Sequence, residues 1–423
     1  MRLLYTTLFY LALPLVITRL MWRSRSAPAY AERWSERFGF FDPLPLDRKT
    51  LWVHAVSVGE TLAALPMIRQ LQERYPNHQL LVTTMTPTGS ERVKAALGDS
   101  VFHVYAPYDL PDAVNRFLKR ARPELALIME TELWPNILRG CQRHSIPTVI
   151  ANARLSEKSA RGYQRFQGTA RAMLDCVTAI AAQSPADAER LKAIGAEDQK
   201  ITVTGSIKFD ISVNQEQRHK AELYRNRWQG TSQRPILLAA STHEGEDELL
   251  LETLKQLHIE HPDTLLVIVP RHPERFDRVT ALAEQSFHTQ RHSKGGPVTD
   301  QTQVLIGDSM GEMMALLGAC DICFMGGSWV ENGGHNLIEP AIWAKPQFTG
   351  PSLFNFAEVS DLLLNAGGIA VVDTPQHLAE SVSNLLKQPD QAQAMGEAAL
   401  QVAEQNKGAL GRLLEVIDQQ LQR

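Results

Sequence analysis

From residue 50 onward, short apolar runs alternate with stretches of helical character, and this alternation restricts the fold more than any other feature of the chain. Residues 51–55, 80–84, 101–105, 125–129, 148–151, 179–182 and 201–204 form a first series of runs. Residues 236–240, 265–269, 304–306, 322–325, 347–349 and 369–372 form a second. Strands that take turns with helices build a parallel sheet covered on both faces. Between the series, residues 214–234 are charged and polar without a β pattern, which marks them as a linker. Residues 389–423 read as an amphipathic C-terminal helix packing across the domains. At 423 residues the chain is too long for one ordinary core. The expected class is therefore α/β, with two doubly wound, Rossmann-like domains at 50–213 and 235–388. Their polar loops, at the carboxyl ends of the strands, are expected to face a central cleft.

Before this pattern begins, residues 3–18 are almost wholly apolar and aromatic, and Arg19, Arg23, Arg25, Arg33 and Arg37 follow. Sixteen helical residues reach about 24 Å, short of the roughly 30 Å of a hydrocarbon core. Adding Leu20, Met21 and Trp22, with Arg19 snorkelling, makes a short span feasible, although Pro14 is a candidate kink. A cleaved signal peptide is the rival, with Ala27-Pro28-Ala29 as its candidate cleavage site. Positive charge after the apolar run argues against export, because it holds that side in the cytoplasm. Residues 1–25 therefore read as a membrane anchor with the remaining chain on the cytoplasmic side. Residues 26–49 interleave Tyr30, Trp34, Phe38, Phe40 and Phe41 with Arg33 and Arg37, the pattern of a segment lying on a membrane surface.

Composition removes other classes. With 44% hydrophobic and 21% charged residues, long disorder is not expected. A formal net charge of −4 speaks against a nucleic-acid partner. Cys141, Cys176, Cys320 and Cys323 make no disulfide framework, and the Cys320–Cys323 spacing lacks a second pair that would suggest zinc.

The chemistry-bearing residues stand where strands run into helices. Ser57-Val58-Gly59-Glu60 leaves the first strand in the form of a capping box, and Ser241-Thr242-His243-Glu244 echoes it in the second series. A helix start favours the ionised form of Glu60, as a general base requires; capping alone is its bland role. Thr83-Thr84-Met85-Thr86-Pro87-Thr88-Gly89 offers hydroxyls to a sugar or phosphate, or is simply another helix start. Glu130 and Glu132, with Trp134, leave a buried strand end, where carboxylates cost stability unless solvated or paired. Arg154 and Lys208 close later strands with a cation each, and Arg271 ends another in Pro270-Arg271-His272-Pro273-Glu274-Arg275. Arginine there suits bidentate contact with phosphate. Gly307-Asp308-Ser309-Met310-Gly311-Glu312 repeats the plan and suits a base or ribose. Finally, Gly326-Gly327-Ser328 and Gly333-Gly334-His335-Asn336 flank a turn whose amides and following helix invite an anion, with Glu339 beside Asn336 to clasp sugar hydroxyls. No Asp-x-Asp pair occurs, which suits a monophosphate donor without a metal.

These stretches, with residues 54–61, 129–136, 152–156, 205–210, 241–246, 269–276 and 326–339 as the longest, resemble the 3-deoxy-D-manno-octulosonic acid (Kdo) transferases of bacterial lipopolysaccharide synthesis. The resemblance extends over nearly the whole chain. It implies a GT-B glycosyltransferase of the inner membrane, cytoplasmic side, moving Kdo from CMP-Kdo to a lipid A precursor with inversion. It further implies Glu60 as general base, with Glu130 and Lys208 stabilising the transition state. CMP contacts would fall on Pro270, Arg271, Met310, Gly311, Glu312, Asn336, Leu337, Ile338 and Glu339, with no metal or other cofactor. The first domain would take the acceptor and the second CMP-Kdo. The alternatives are a GT-B enzyme using a UDP-sugar and, from another class, a non-catalytic two-domain binding protein.

Overall fold

The computed structural model describes residues 2–25, 28–230 and 233–422. The chain divides into two compact units, Met1–Asp210 with Gly408–Arg423, and Ile211–Lys407. In the first unit β1 (Lys49–His54), β2 (His78–Thr84), β3 (Phe102–Tyr105), β4 (Pro123–Met129), β5 (Thr148–Ala153), β6 (Ala179–Ala182) and β7 (Ile201–Val203) form one sheet. Its order is β3-β2-β1-β4-β5-β6-β7, parallel throughout. Successive side chains enter opposite cores, as the two-residue strand period demands. Trp52, Leu81, Ile128 and Ile150 pack on one face, and Leu51, Val53, Val82 and Leu127 on the other.

The second unit holds β8 (Ile236–Thr242), β9 (Leu265–Pro270), β10 (Thr289–Arg291), β11 (Val304–Ile306), β12 (Ile322–Met325), β13 (Gln347–Thr349) and β14 (Ile369–Val371). They pair in the order β10-β11-β9-β8-β12-β13-β14, again all parallel. Each unit is doubly wound, which gives the chain the two Rossmann-like units of the GT-B class. Strand order reverses between β1 and β4 in one sheet and between β8 and β12 in the other. Ligands of such sheets bind beyond the carboxyl ends at those two points.

Several boundaries differ from the sequence expectation. Residues 214–234 are not a free linker: Gln215–Trp228 is a helix of the second unit, capped by Asn214 and Gln217. Only Ala221, Tyr224 and Trp228 give it an inner stripe, Ala221 and Trp228 being buried and Tyr224 stacked on Trp228, too few apolar positions to declare a packed helix. The carboxyl-terminal stretch is two helices, Pro389–Gln405 in the second unit and Ala409–Leu421 in the first. Leu413, Leu414 and Ile417 of the last helix complete one core face of the first unit, each burial contributing about 1.5–3 kcal/mol. Asp210 fixes its start by accepting from the amides of Gly408 at 2.6 Å and Leu410 at 2.5 Å. β10 escaped the sequence reading because Thr-Gln-Arg carries no apolar signal.

The segment expected on a membrane surface belongs to the first unit and packs in part against it. Arg37 is buried with its guanidinium 4.2 Å from the Tyr105 ring centroid, and Arg33 donates to the His103 carbonyl at 2.7 Å. Phe38 meets Tyr108 and Phe41 meets Phe117, so packing accounts for these two aromatics, while Phe40 is exposed. The amino-terminal helix, Arg2–Arg23, runs through Pro14 and is long and apolar enough to cross a membrane. One stripe of it, Phe9, Leu13, Val16 and Leu20, packs beside Tyr108, while Leu3, Leu11, Leu15 and Trp22 are exposed. Ala27 of the candidate cleavage site lies outside the described residues.

Candidate functional site

In the first unit, Ser57 has extended backbone and caps the helix Val58–Arg74. Its hydroxyl accepts from the Glu60 amide at 3.2 Å and donates to the Glu60 carboxylate at 2.7 Å, while the Val56 amide donates to the other carboxylate oxygen at 2.8 Å. The capping role is thus real. It does not exhaust the residue. Glu60 is buried, and burial pushes its pKa up against the pull of the Ser57 and Val56 bonds, with Glu132 and Glu130 adding like charge. The helix start was expected to favour ionisation; burial outweighs it, because a helix terminus acts weakly compared with lost solvation.

Glu130 follows β4 across the switch point with φ at +53°, a left-handed conformation that costs a non-glycine residue strain and redirects the chain. Its carboxylate lies 3.7 Å from Lys208 Nζ. Glu132 accepts from Trp134 Nε1 at 2.5 Å, and burial followed by the Glu130 charge raises its pKa. Asn152, buried and also left-handed at the end of β5, was missed as a positioning residue. Its Oδ1 accepts from the Ile207 amide at 3.1 Å and so holds the turn that carries Lys208. The hydroxyls after β2 have structural uses. Thr83 accepts from Trp52 Nε1 at 2.8 Å, and Thr86 caps the next helix. Glu60, Glu130, Glu132 and Lys208 are therefore brought together in the first unit.

The second unit is built differently from its sequence expectation. Helix Glu246–Leu257 begins after Gly245, so Ser241 and Glu244 form no capping box. Glu246 is the residue that matters: its carboxylate accepts from the amides of His243 (2.9 Å), Gly327 (2.7 Å), Ser328 (3.0 Å) and Trp329 (2.9 Å). Three amides of the glycine turn assigned to a ligand are thus occupied by a buried carboxylate. Gly326, Gly333 and Gly334 donate to Ala240, Ser352 and Gly327. Nor is there a long helix to present its positive end, since Ile338–Ala341 is a single turn. Glycine is nonetheless required, as a Cβ on Gly326 would lie 2.9 Å from the Ser241 carbonyl oxygen.

What remains at the β8–β12 switch point is a set of side chains. Asn336 Nδ2 donates to Glu339 at 3.2 Å, the expected pair. Arg271, immediately after Pro270 at the end of β9, lies near Glu339 and His335, and its guanidinium makes no hydrogen bond or ion pair among the described residues. Arg275, by contrast, is paired with Asp247. His243 and His335 approach at 2.8 Å between Nε2 atoms, and burial, then the Arg271 charge, pushes the His335 pKa down to about 3. Burial raises Glu339, opposed by Asn336 and Arg271. Leu337 and Ile338 are core side chains, so any ligand contact there is through backbone. Met310 is exposed, Gly311 is left-handed at φ +82°, and the Glu312 carboxylate accepts from the Tyr224 hydroxyl at 2.8 Å. This loop stands at the end of β11, two strands from β8.

Residues 32–211 match the family model described as 3-deoxy-D-manno-octulosonic-acid transferase (kdotransferase), and residues 233–402 match that of glycosyl transferases group 1. The chain is 42% identical to the 3-deoxy-D-manno-octulosonic acid transferase of Haemophilus influenzae, over 100% of this chain and 99% of that protein. It belongs to the Kdo transferase family. A Kdo transferase of Bordetella pertussis is 34% identical over 94% of this chain and 95% of its own length. As a member of this family, the protein is a glycosyltransferase. Among solved structures, UDP-GlcNAc 2-epimerase of Neisseria meningitidis superposes with a TM-score of 0.60 at 15% identity, covering 88% of this chain and 100% of that one. A glycosyltransferase of Rickettsia africae gives 0.56 at 16%, covering 89% and 99%. These two likenesses concern the fold alone.

Proposed function

We propose that this Kdo transferase moves Kdo from CMP-Kdo to a hydroxyl of a lipid A precursor in lipopolysaccharide synthesis, with inversion at the anomeric carbon and Glu60 as general base. The observation that carries this reading is a buried carboxylate at the end of β1, its pKa raised toward the range of a working base, beside Glu130 and Lys208. The acceptor oxygen attacks the anomeric carbon and gives its proton to Glu60. The glycosyl–phosphate bond breaks, and its electron pair leaves with CMP. Lys208, oriented by Glu130 and by the Asn152-held turn, meets the negative charge that develops on the departing phosphate. In the second unit Arg271 binds the CMP phosphate, Asn336 and Glu339 take hydroxyls, and Pro270, Met310, Gly311, Glu312, Leu337 and Ile338 complete the donor pocket. No step needs a metal or other cofactor.

The exposed apolar face of the helix Arg2–Arg23 associates with the inner membrane from its cytoplasmic side. Its other face is tied to the first unit, by Thr6 to Asn136 at 3.1 Å and Tyr10 to Asp112 at 2.5 Å, which favours a helix lying in the interface. Mass spectrometry of a tetraacyl lipid A precursor incubated with enzyme and CMP-Kdo tests the reading. Whole Kdo increments are expected; transfer only from UDP-sugars, or none, sinks it.

A further inference from the structure

An apolar cavity of about 870 Å³ opens in the first unit, away from the carboxylates' capping contacts but sharing a wall with them. Leu8 and Phe9 of the amino-terminal helix form one side, Trp134 a second, and Tyr163, Phe166 and Met173 a third. The volume lies toward the upper end of small-molecule sites, and the lining suits a hydrocarbon rather than a sugar. Trp134 is the shared wall: its indole N–H bonds Glu132 and its ring lies 5.7 Å from that of His54. The helices Glu157–Gln164 and Gln167–Leu174, which supply the third side, are basic. Lys158, Arg161, Arg165 and Arg171 are exposed over residues 157–174, against Glu157 as the one acid. An apolar hole walled partly by a membrane-type helix, in helices whose outer positions are basic, fits the hydrocarbon part of an amphiphile.

We infer that this cavity seats one fatty acyl chain of the lipid acceptor. The chain runs between the amino-terminal helix and residues 157–174, so that the polar head reaches the Glu60–Glu130 cluster past Trp134. The inference rests on the proposed acceptor and adds to it a site for recognising acylation. Binding hydrocarbon in a preformed apolar wall makes the acylated acceptor the better substrate.

Gly162 lines the cavity, is helical and would place a Cβ more than 4 Å from any other group, so Gly162→Phe fills the space without forcing the backbone. Gly168→Phe is a matched control, equally open but outside the lining. The readout is kcat/KM for a tetraacyl acceptor in detergent divided by that for its deacylated form, with melting temperature and donor KM measured alongside. Gly162→Phe is expected to lower this preference by at least about tenfold and Gly168→Phe to leave it unchanged, with donor KM constant in both. Phe166→Ser, at an exposed rim position, should lower it too, and keeps the test open should Gly162→Phe fail to fold. An undiminished preference in Gly162→Phe and Phe166→Ser overturns the inference, as does a wild-type enzyme with no preference for acylation. Weaker vesicle binding by Gly162→Phe with its preference intact assigns the cavity to bulk lipid and also overturns it. Absence of Kdo transfer to either acceptor by the wild type is a different result, which removes the proposed function itself.

Discussion

Both units start the same way, with a central strand, a short polar turn and a carboxylate at the head of a helix, yet the two carboxylates have opposite fates. Glu246 is surrounded by four backbone amides, and its whole accepting capacity serves to hold the glycine turn after β12. Among the described residues Glu60 has only the Val56 and Ser57 groups as donors, and it faces two further acids. A carboxylate saturated by amides is a clamp. One that is buried, partly satisfied and crowded by like charge has its pKa raised, as the proposed general base requires. Position in the motif does not distinguish them; the donors that surround each one do.

The strongest way to break this contrast is to neutralise Glu60. Glu60→Gln keeps the size and most capping bonds but cannot act as a base, so turnover should fall about 10²–10⁴-fold while CMP affinity holds. Near-normal turnover with a lowered melting temperature would reduce Glu60 to a cap like any other. Lys208→Met should cost roughly 10²-fold in turnover through lost charge stabilisation, with little change in acceptor KM. A pure rise in KM would make Lys208 a binding group instead. Glu246→Ala should do the reverse of Glu60→Gln. Four backbone amides, two of them in buried bonds, lose their acceptor, so stability should drop by on the order of 3 kcal/mol, seen as an earlier melting transition, and CMP binding should weaken as the turn loosens. Unchanged melting would mean that Glu246 is not the clamp described. The smallest effect concerns pH. Because the Glu60 pKa is raised, the base is lost as pH falls through that raised value, so the acid limb of kcat/KM should lie above the ordinary carboxylate range. Glu132→Gln removes a like charge and should shift that limb to lower pH. A limb that does not move would show that Glu132 is not felt at Glu60.

Thirteen of the fourteen strands were legible as apolar runs, because a parallel sheet buries both faces and writes itself as hydrophobic sequence. That Glu60, Glu130 and Lys208 lie beyond the carboxyl ends of strands was legible for a related reason, since charge is kept out of such runs and gathers just past them. Glu246 was not. In the run Glu244-Gly245-Glu246-Asp247-Glu248 all four acids look like helix-start charges, and only the tertiary position of residues 327–329 singles one out. The amide-rich anion site was misread for the same reason, as glycine spacing announces free N–H groups but not the side chain that consumes them. Arg33 and Arg37 carry a second cause for the same pattern: arginines among aromatics look amphipathic at a membrane, and stacking on Tyr105 leaves the same signature.

The bond from Asp210 to the amide of Gly408 joins residues 198 positions apart and seats the helix that covers one face of the first sheet. Translation therefore emits that sheet long before its cover. While residues 211–407 are still being polymerised, the surface that Leu413, Leu414 and Ile417 will occupy is bare, and the first unit waits as an unfinished, adhesive intermediate. The second unit, contiguous in sequence, is under no such delay. A released chain that ends at Lys407 should thus keep its later half folded while its earlier half, lacking its cover, exposes apolar surface and calls for chaperone shielding.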